Sequence, residues 1–391
     1  MLDRILGLDL RRRLLLYVAL TVIIYGTMII LDTAFMADQF EDGVAHADID
    51  VYRDRTQTII DGGWIYRDVH TETPPVINYL LVPAQLLGGG EYDQIYAAYF
   101  SAFALLGASA IYLGLRDWDD DRAYLAGLLF LLSPFIIVES TFGVEDEAIM
   151  ILTFILPMLF IARERELEAT AAIAVGIWTK MFALLLYPIV FLRSGWRERG
   201  KEMLILTAVT LAVTLPFVIC CLDDFTWFLE FYFLGVDGRQ TGGSSMWHFL
   251  DMGGIGLPRL ASFAITGGSL LIAYIHCHRK GMDMWRSALV VMVAFFLFYP
   301  KIHTGYWLMP LVLLLPWAAG HRDIALRTFL IYAPVIASTA FAYGDDAPPF
   351  IDEPWGWMVG LLLAALASGM LVETAVRAMG RESFLDRKVV A

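Results

Sequence analysis

Cysteine is almost missing from this chain of 391 residues: Cys220, Cys221 and Cys277 are the three it has. None stands in a CxxC spacing, so neither a disulfide framework nor a zinc site is implied. Positive charge is scarce as well. Lys and Arg number 28 against 41 Asp and Glu, for a formal net charge of −13. That balance argues against a nucleic-acid partner, whose phosphates call for basic residues. No glycine-rich dinucleotide loop and no P-loop is visible, so no nucleotide site is expected. No internal repeat suggests a transporter of inverted halves. The first apolar run is too long for a cleavable signal peptide and lacks a small-residue cleavage site, so it reads as an anchor.

What is abundant is apolar side chain. The chain is 58% hydrophobic, with a mean hydropathy of +0.63, where soluble domains run at about 45–50% apolar. The apolar runs are spread along its whole length. An all-α polytopic membrane protein is expected, with residues 1–391 forming a single membrane-embedded domain. Arg4 and Arg11 to Arg13 precede the first run, Leu14 to Ala34. Basic residues stay on the cytoplasmic side, which places the N-terminus inside and delivers the next segment outside. That segment, about 35–93, is acidic. It is predicted to carry a surface helix over Ile49 to Gly62, ended by glycine, and an interfacial helix over Val76 to Leu87. The latter is too short to cross a core ~30 Å thick. The same basic-inside alternation then predicts about ten crossings in all. One stretch stands apart. Ala169 to Leu192 is apolar except for Lys180 and has basic clusters at both ends. Two helical arms meeting near Thr179-Lys180 satisfy the orientation rule, and a single crossing does not. An outer loop is expected from Asp223 to about Gly256.

Several polar residues stand out against this background. Asp48 and Asp50 are two apart, so from an extended or loop backbone both face one cavity. A like-charged neighbour raises a carboxyl towards the working range of a general base. A merely solvated acidic loop has the same look. Lys180 would cost ~2.5–3.5 kcal/mol at the bilayer centre. A lipid phosphate offsets that cost, and so does a structural carboxylate. Lys301 and His303 lie beside Tyr306 and Trp307 at an outer helix end. They read as interfacial anchors or as cations for a departing phosphate. Glu145, Asp146 and Glu147 begin a helix, where carboxylates favour the dipole.

Taken together, Asp48-Ile49-Asp50-Val51-Tyr52, Ile65-Tyr66-Arg67 and Pro74-Pro75-Val76-Ile77-Asn78 resemble the first external loop of GT-C membrane glycosyltransferases. The closest likeness is to the enzyme adding the first mannose in GPI-anchor assembly. A second is to bacterial polyprenol-phosphomannose-dependent mannosyltransferases. Phe142 to Asp146, Thr179 to Pro188 and Lys301 to Leu308 resemble later motifs of the same enzymes, so the likeness runs from about residue 14 to 320. It implies the GT-C fold, about ten crossings plus a helical hairpin, and a large first external loop with interfacial helices. It implies transfer of a hexose, most of all mannose, from a polyprenyl- or dolichyl-phosphate sugar, with inversion. The acceptor is lipid- or glycan-linked and sits at the external face of the cytoplasmic membrane. The base is Asp48 or Asp50. Lys180, Lys301, His303 and Arg67 are assigned to the donor phosphate. Glu72, Glu145, Asp146, Tyr52, Tyr66, Tyr306, His248 and Trp247 are assigned to acceptor or sugar. No cofactor is expected, since a donor with one phosphate needs no divalent metal, although the aspartate pair has the chemistry to hold one. Two rival readings follow from the same residues. A lipid-linked sugar flippase or transporter needs ionisable groups near mid-bilayer on several helices, and only Lys180 qualifies. A scaffold subunit tolerates loss of both aspartates.

Overall fold

The computed structural model describes residues 6–36, 47–234, 241–342 and 355–387. Arg4 and His46 lie outside them. The chain divides into two compact units, Met1–Leu229 with Arg387–Ala391, and Glu230–Asp386.

In the first unit, helix α1 (Leu10–Phe35) is the anchor. The Asp9 carboxylate caps it, accepting from the Arg12 amide at 2.8 Å. Arg13, one of the basic residues before the first apolar run, is buried and pairs with Asp120 at 2.9 Å and Asp121 at 2.5 Å. Helix α2 (Ala47–Ile60) stops before Gly62, whose φ of +80° suits a residue without Cβ. Helix α3 (Pro75–Ala84) starts on proline, where a missing N–H costs nothing. A π-helical turn follows it. Then come α4 (Asp93–Leu115), α5 (Asp120–Leu131) and α6 (Pro134–Thr141), the last two bent by 45°. Helix α7 (Glu147–Ala162) leads to α8 (Glu166–Thr179). Lys180 then adopts an extended backbone (φ −156°, ψ 124°), before a 3-10 turn and α9 (Tyr187–Arg193). The break between two arms falls where the charge pattern put it. Helices α10 (Trp196–Cys220) and α11 (Leu222–Leu234) follow. The expected loop from Asp223 is therefore helical at its start. Phe225 and Phe228, three apart, lie on one helical face and pack on Tyr66, with Phe217 against Phe225.

The second unit contains α12 (Met246–Met252), α13 (Arg259–Arg279), α14 (Met284–Phe298), α15 (Leu308–Ala318), α16 (Arg322–Leu330), α17 (Tyr332–Thr339) and α18 (Gly356–Met379). Strands β1 (Gly242–Gly243) and β2 (Lys301–Ile302) pair in parallel, Gly242 opposite Lys301. Gly243 has a φ of +63°, and a Cβ there would stand 2.1 Å from the Ile302 carbonyl oxygen. Gly243→Ala is expected to cost about 1–3 kcal/mol for the strained backbone, more with the clash. Thermal unfolding in detergent reads it, and an unchanged midpoint would contradict the geometry.

Among the described residues five helices are long and apolar enough to cross a membrane, or six if the bent pair α5–α6 is one span. The shortfall from about ten has a simple cause. Glu147–Ala162, Met181–Arg193, Met284–Phe298 and Thr304–Ala318 are apolar but only 10–17 residues long, where a straight crossing takes about 20. The apolar stretch after Arg322 is split at Ile331 into α16 and α17, each too short to cross alone.

Candidate active site

Helix α2 carries the two aspartates on different faces. At 3.6 residues per turn, positions two apart point about 200° away from each other. Asp50 is 83% exposed and pairs with Arg53 at 3.1 Å, which also holds Asp93 at 2.5 Å and the Gly89 carbonyl at 2.9 Å. Asp48 shares the opposite face with Tyr52, one turn on. The expectation that both carboxylates serve one cavity therefore fails, because the segment is helical rather than extended.

Tyr52 is only 2% exposed. Its hydroxyl donates to Glu145 at 3.2 Å and accepts the Asp146 amide at 3.2 Å. Its ring packs on Tyr96 and Phe100, which also pack on each other. It joins α2 to the turn after α6 and has no face left for stacking on a sugar. That turn is tight. The Gly143 amide reaches the Val138 carbonyl, the Glu145 amide reaches Glu139, and Val144 is held at φ +49°. A β-branched residue rarely adopts that angle, which marks the turn as held by its surroundings.

Lys180, 9% exposed, enters the same cluster and pairs with Asp146 and with Glu147, the latter at 2.5 Å. The case for a phosphate at Lys180 was its uncompensated charge. Two buried carboxylates of this chain supply the compensation. Burial pushes the Glu145 carboxyl well above the usual carboxylate range, and the charges of Glu147, Asp48, Glu139 and Asp146 push it further. Burial raises the Tyr52 phenol too, followed by Asp146, Glu145 and Asp48.

The remaining predicted residues of this unit are engaged elsewhere. Glu72 pairs at 2.8 Å with Arg55, which is buried and also reaches Thr73. Arg67 grips its neighbour Asp68 through two bonds of 2.8 and 2.7 Å. Tyr66 is 3% exposed, donates to the Thr73 carbonyl at 2.8 Å and is enclosed by Phe217, Phe225 and Phe228. Sequence reasoning missed Arg55. The available signal was its place seven residues after Asp48 and three after Tyr52, on the buried side of the predicted surface helix.

In the second unit, Lys301 and His303 flank Ile302, whose carbonyl accepts the Ser244 amide at 2.8 Å. The His303 ring meets Tyr306, which is buried. Trp247 donates to the Leu297 carbonyl at 3.2 Å. His248 contacts the Thr241 hydroxyl through one ring nitrogen and the Ala342 carbonyl through the other, so both are occupied. The β pair thus fixes Lys301 at the start of the turn that brings His303 against Tyr306.

The fold of the chain has a counterpart among solved structures. The chain is similar to the crystal structure of ArnT from Cupriavidus metallidurans bound to undecaprenyl phosphate, with a TM-score of 0.53 and 18% identity over 95% of this chain and 75% of that one. No curated protein matches it. The fold and composition are those of an integral membrane glycosyltransferase of GT-C type. The model of glycosyltransferase family 87 matches residues 73–300, more than half of the sequence, and the chain belongs to that family. Asp48 precedes the matched stretch and Lys301 follows it.

Proposed function

We propose that this glycosyltransferase moves a hexose, mannose foremost, from a polyprenyl- or dolichyl-phosphate sugar to a lipid- or glycan-linked acceptor at the external face of the cytoplasmic membrane. Asp48 is the base. The observation that carries this reading is its position in the first turn of α2, exposed, away from Asp50 and on the face of Tyr52 and the acidic turn. The acceptor hydroxyl oxygen attacks the anomeric carbon as Asp48 takes its proton. The bond from that carbon to the phosphate oxygen breaks on the opposite side, so configuration inverts. Lys301 and His303 are the cations suited to the negative charge that grows on the phosphate. Family membership supports sugar transfer, and undecaprenyl phosphate bound to ArnT supports a lipid-phosphate donor. The basic-inside pattern supports a cytoplasmic N-terminus. Glu147–Ala162, Met284–Phe298, Thr304–Ala318 and the bent pair would bring the crossings to about nine, with α8 and α9 as the hairpin beside them.

The test is transfer by the purified protein in lipid, using a panel of labelled polyprenyl-phosphate sugars and a membrane extract as acceptor source. Labelled product from the mannose donor is expected. Product from a nucleotide sugar, with none from any lipid-phosphate donor, would refute the donor class.

A further inference from the structure

We propose that Glu145 is a positioning residue for Asp48: it keeps a proton among the clustered acids and, through the Tyr52 hydroxyl, holds the acidic turn against the face of α2 that carries Asp48. The proposal rests on Asp48 being the base.

The argument begins with charge. Asp48 and Tyr52 face the cluster from α2, Glu139 from α6, Glu145 and Asp146 from the turn, Glu147 from α7, and Lys180 from the hairpin break. Lys180 is committed to Asp146 and Glu147. Carboxylates this close cannot all ionise, and the protons they retain belong to the group as a whole. A second observation is independent of the count. Oε2 of Glu147 is buried and has no hydrogen-bond partner among the described residues. A buried acceptor without a donor is costly, more so when it is ionised, so the cluster is short of donors for the charge it carries.

The hydrogen bonds say where a proton does most good. The Tyr52 hydroxyl has one proton to give. It takes the Asp146 amide as its donor and gives its own proton to Oε2 of Glu145. Glu145 then serves as acceptor on that oxygen and carries a proton on the other without breaking the bridge. Ionised, it would set a second negative charge beside Asp48, where a donor phosphate has to approach. As a neutral acid it keeps the bridge and adds no repulsion. The burial and neighbouring charges already described act in the same direction.

The experiment is the pH profile of kcat/KM for transfer from the labelled lipid-phosphate donor by the full-length protein, for wild type, Glu145→Gln, Glu145→Ala, Tyr52→Phe and Asp48→Asn. Gln keeps an acceptor oxygen and cannot ionise. It is expected to lose about threefold near neutrality and to lack the alkaline fall expected of wild type. Ala removes the bridge and should lose about 100-fold, the scale of a misplaced reacting group. Tyr52→Phe should follow Ala in direction. A purely structural residue would scale activity equally at every pH.

Thermal stability against pH is the second readout, and it serves even if Ala fails to fold. A carboxyl raised on folding contributes stability while it holds its proton, and that contribution is lost as pH rises through its folded value. The wild-type melting temperature should therefore fall more steeply on the alkaline side than that of Glu145→Gln. Equal losses in Gln and Ala, or an alkaline limb unchanged by Gln, would overturn the role of Glu145 while Asp48→Asn remains inactive. Full activity in Asp48→Asn would overturn the base assignment, and this proposal with it.

Discussion

Asp48→Asn should lower sugar transfer by about 10²–10⁴-fold, the range a positioned general base contributes, with protein level and melting temperature unchanged. Asp50→Asn should keep activity within about threefold, because its carboxylate faces water in an exposed pair with Arg53, and such pairs carry little energy. The contrast matters more than either value. Both residues sit in one short acidic segment and both become the same amide. If the two variants lose activity equally, the helical geometry of α2 does not govern the reaction. If Asp50→Asn alone is inactive, the base has been placed on the wrong face. Labelled product counted against protein amount reads both, and product stereochemistry from wild type reads the inversion.

The second large effect is expected at Lys180. Removing one member of a buried, hydrogen-bonded ion cluster leaves unpaired charge behind and costs about 3–5 kcal/mol. Lys180→Met should therefore lower the melting temperature sharply, with loss of activity following loss of fold. The triple variant Lys180→Met, Asp146→Asn, Glu147→Gln removes the whole set of charges and should recover most of that stability. A residue held only for donor phosphate would behave in reverse. Lys180→Met would then keep its melting temperature, raise KM for the donor, and gain nothing from the two acid substitutions. Melting in detergent and KM for the lipid-phosphate sugar separate the alternatives.

Much of the architecture was legible in the amino-acid pattern, and the reasons are physical. Apolar runs and basic clusters are direct signals for long helices and breaks, so the long helix α1, the short helix α3 and the break at Lys180 appear close to where charge and length put them. Crossing number was harder, since α7 and α14 are too short to satisfy a length rule and α16 and α17 split one apolar run. The site was legible as a set of residues and less so as a geometry. Tyr52, Glu145, Asp146 and Lys180 were each singled out, yet their mutual contact joins segments far apart in the chain, and spacing carries no record of such contacts. The separation of Asp48 from Asp50 depended on one local question, helix or loop. A surface helix was expected from Ile49, and it begins two residues earlier, at Ala47, so that Asp48 lies on the helix with Asp50. Tyr66 and Arg67 show the same limit, since a ring enclosed by three Phe residues and a surface ion pair look alike in sequence.

The break at Lys180 has a consequence for how the chain is built. During synthesis Glu147 and Asp146 emerge before the hairpin does, and a lysine entering the bilayer alone would face a cost of ~2.5–3.5 kcal/mol. Here its counter-charges are already waiting at the head of α7 when α8 arrives. The hairpin would then insert against charges supplied by the helix made before it. The order of the acids and the lysine along the chain is a set of assembly instructions as much as a set of contacts.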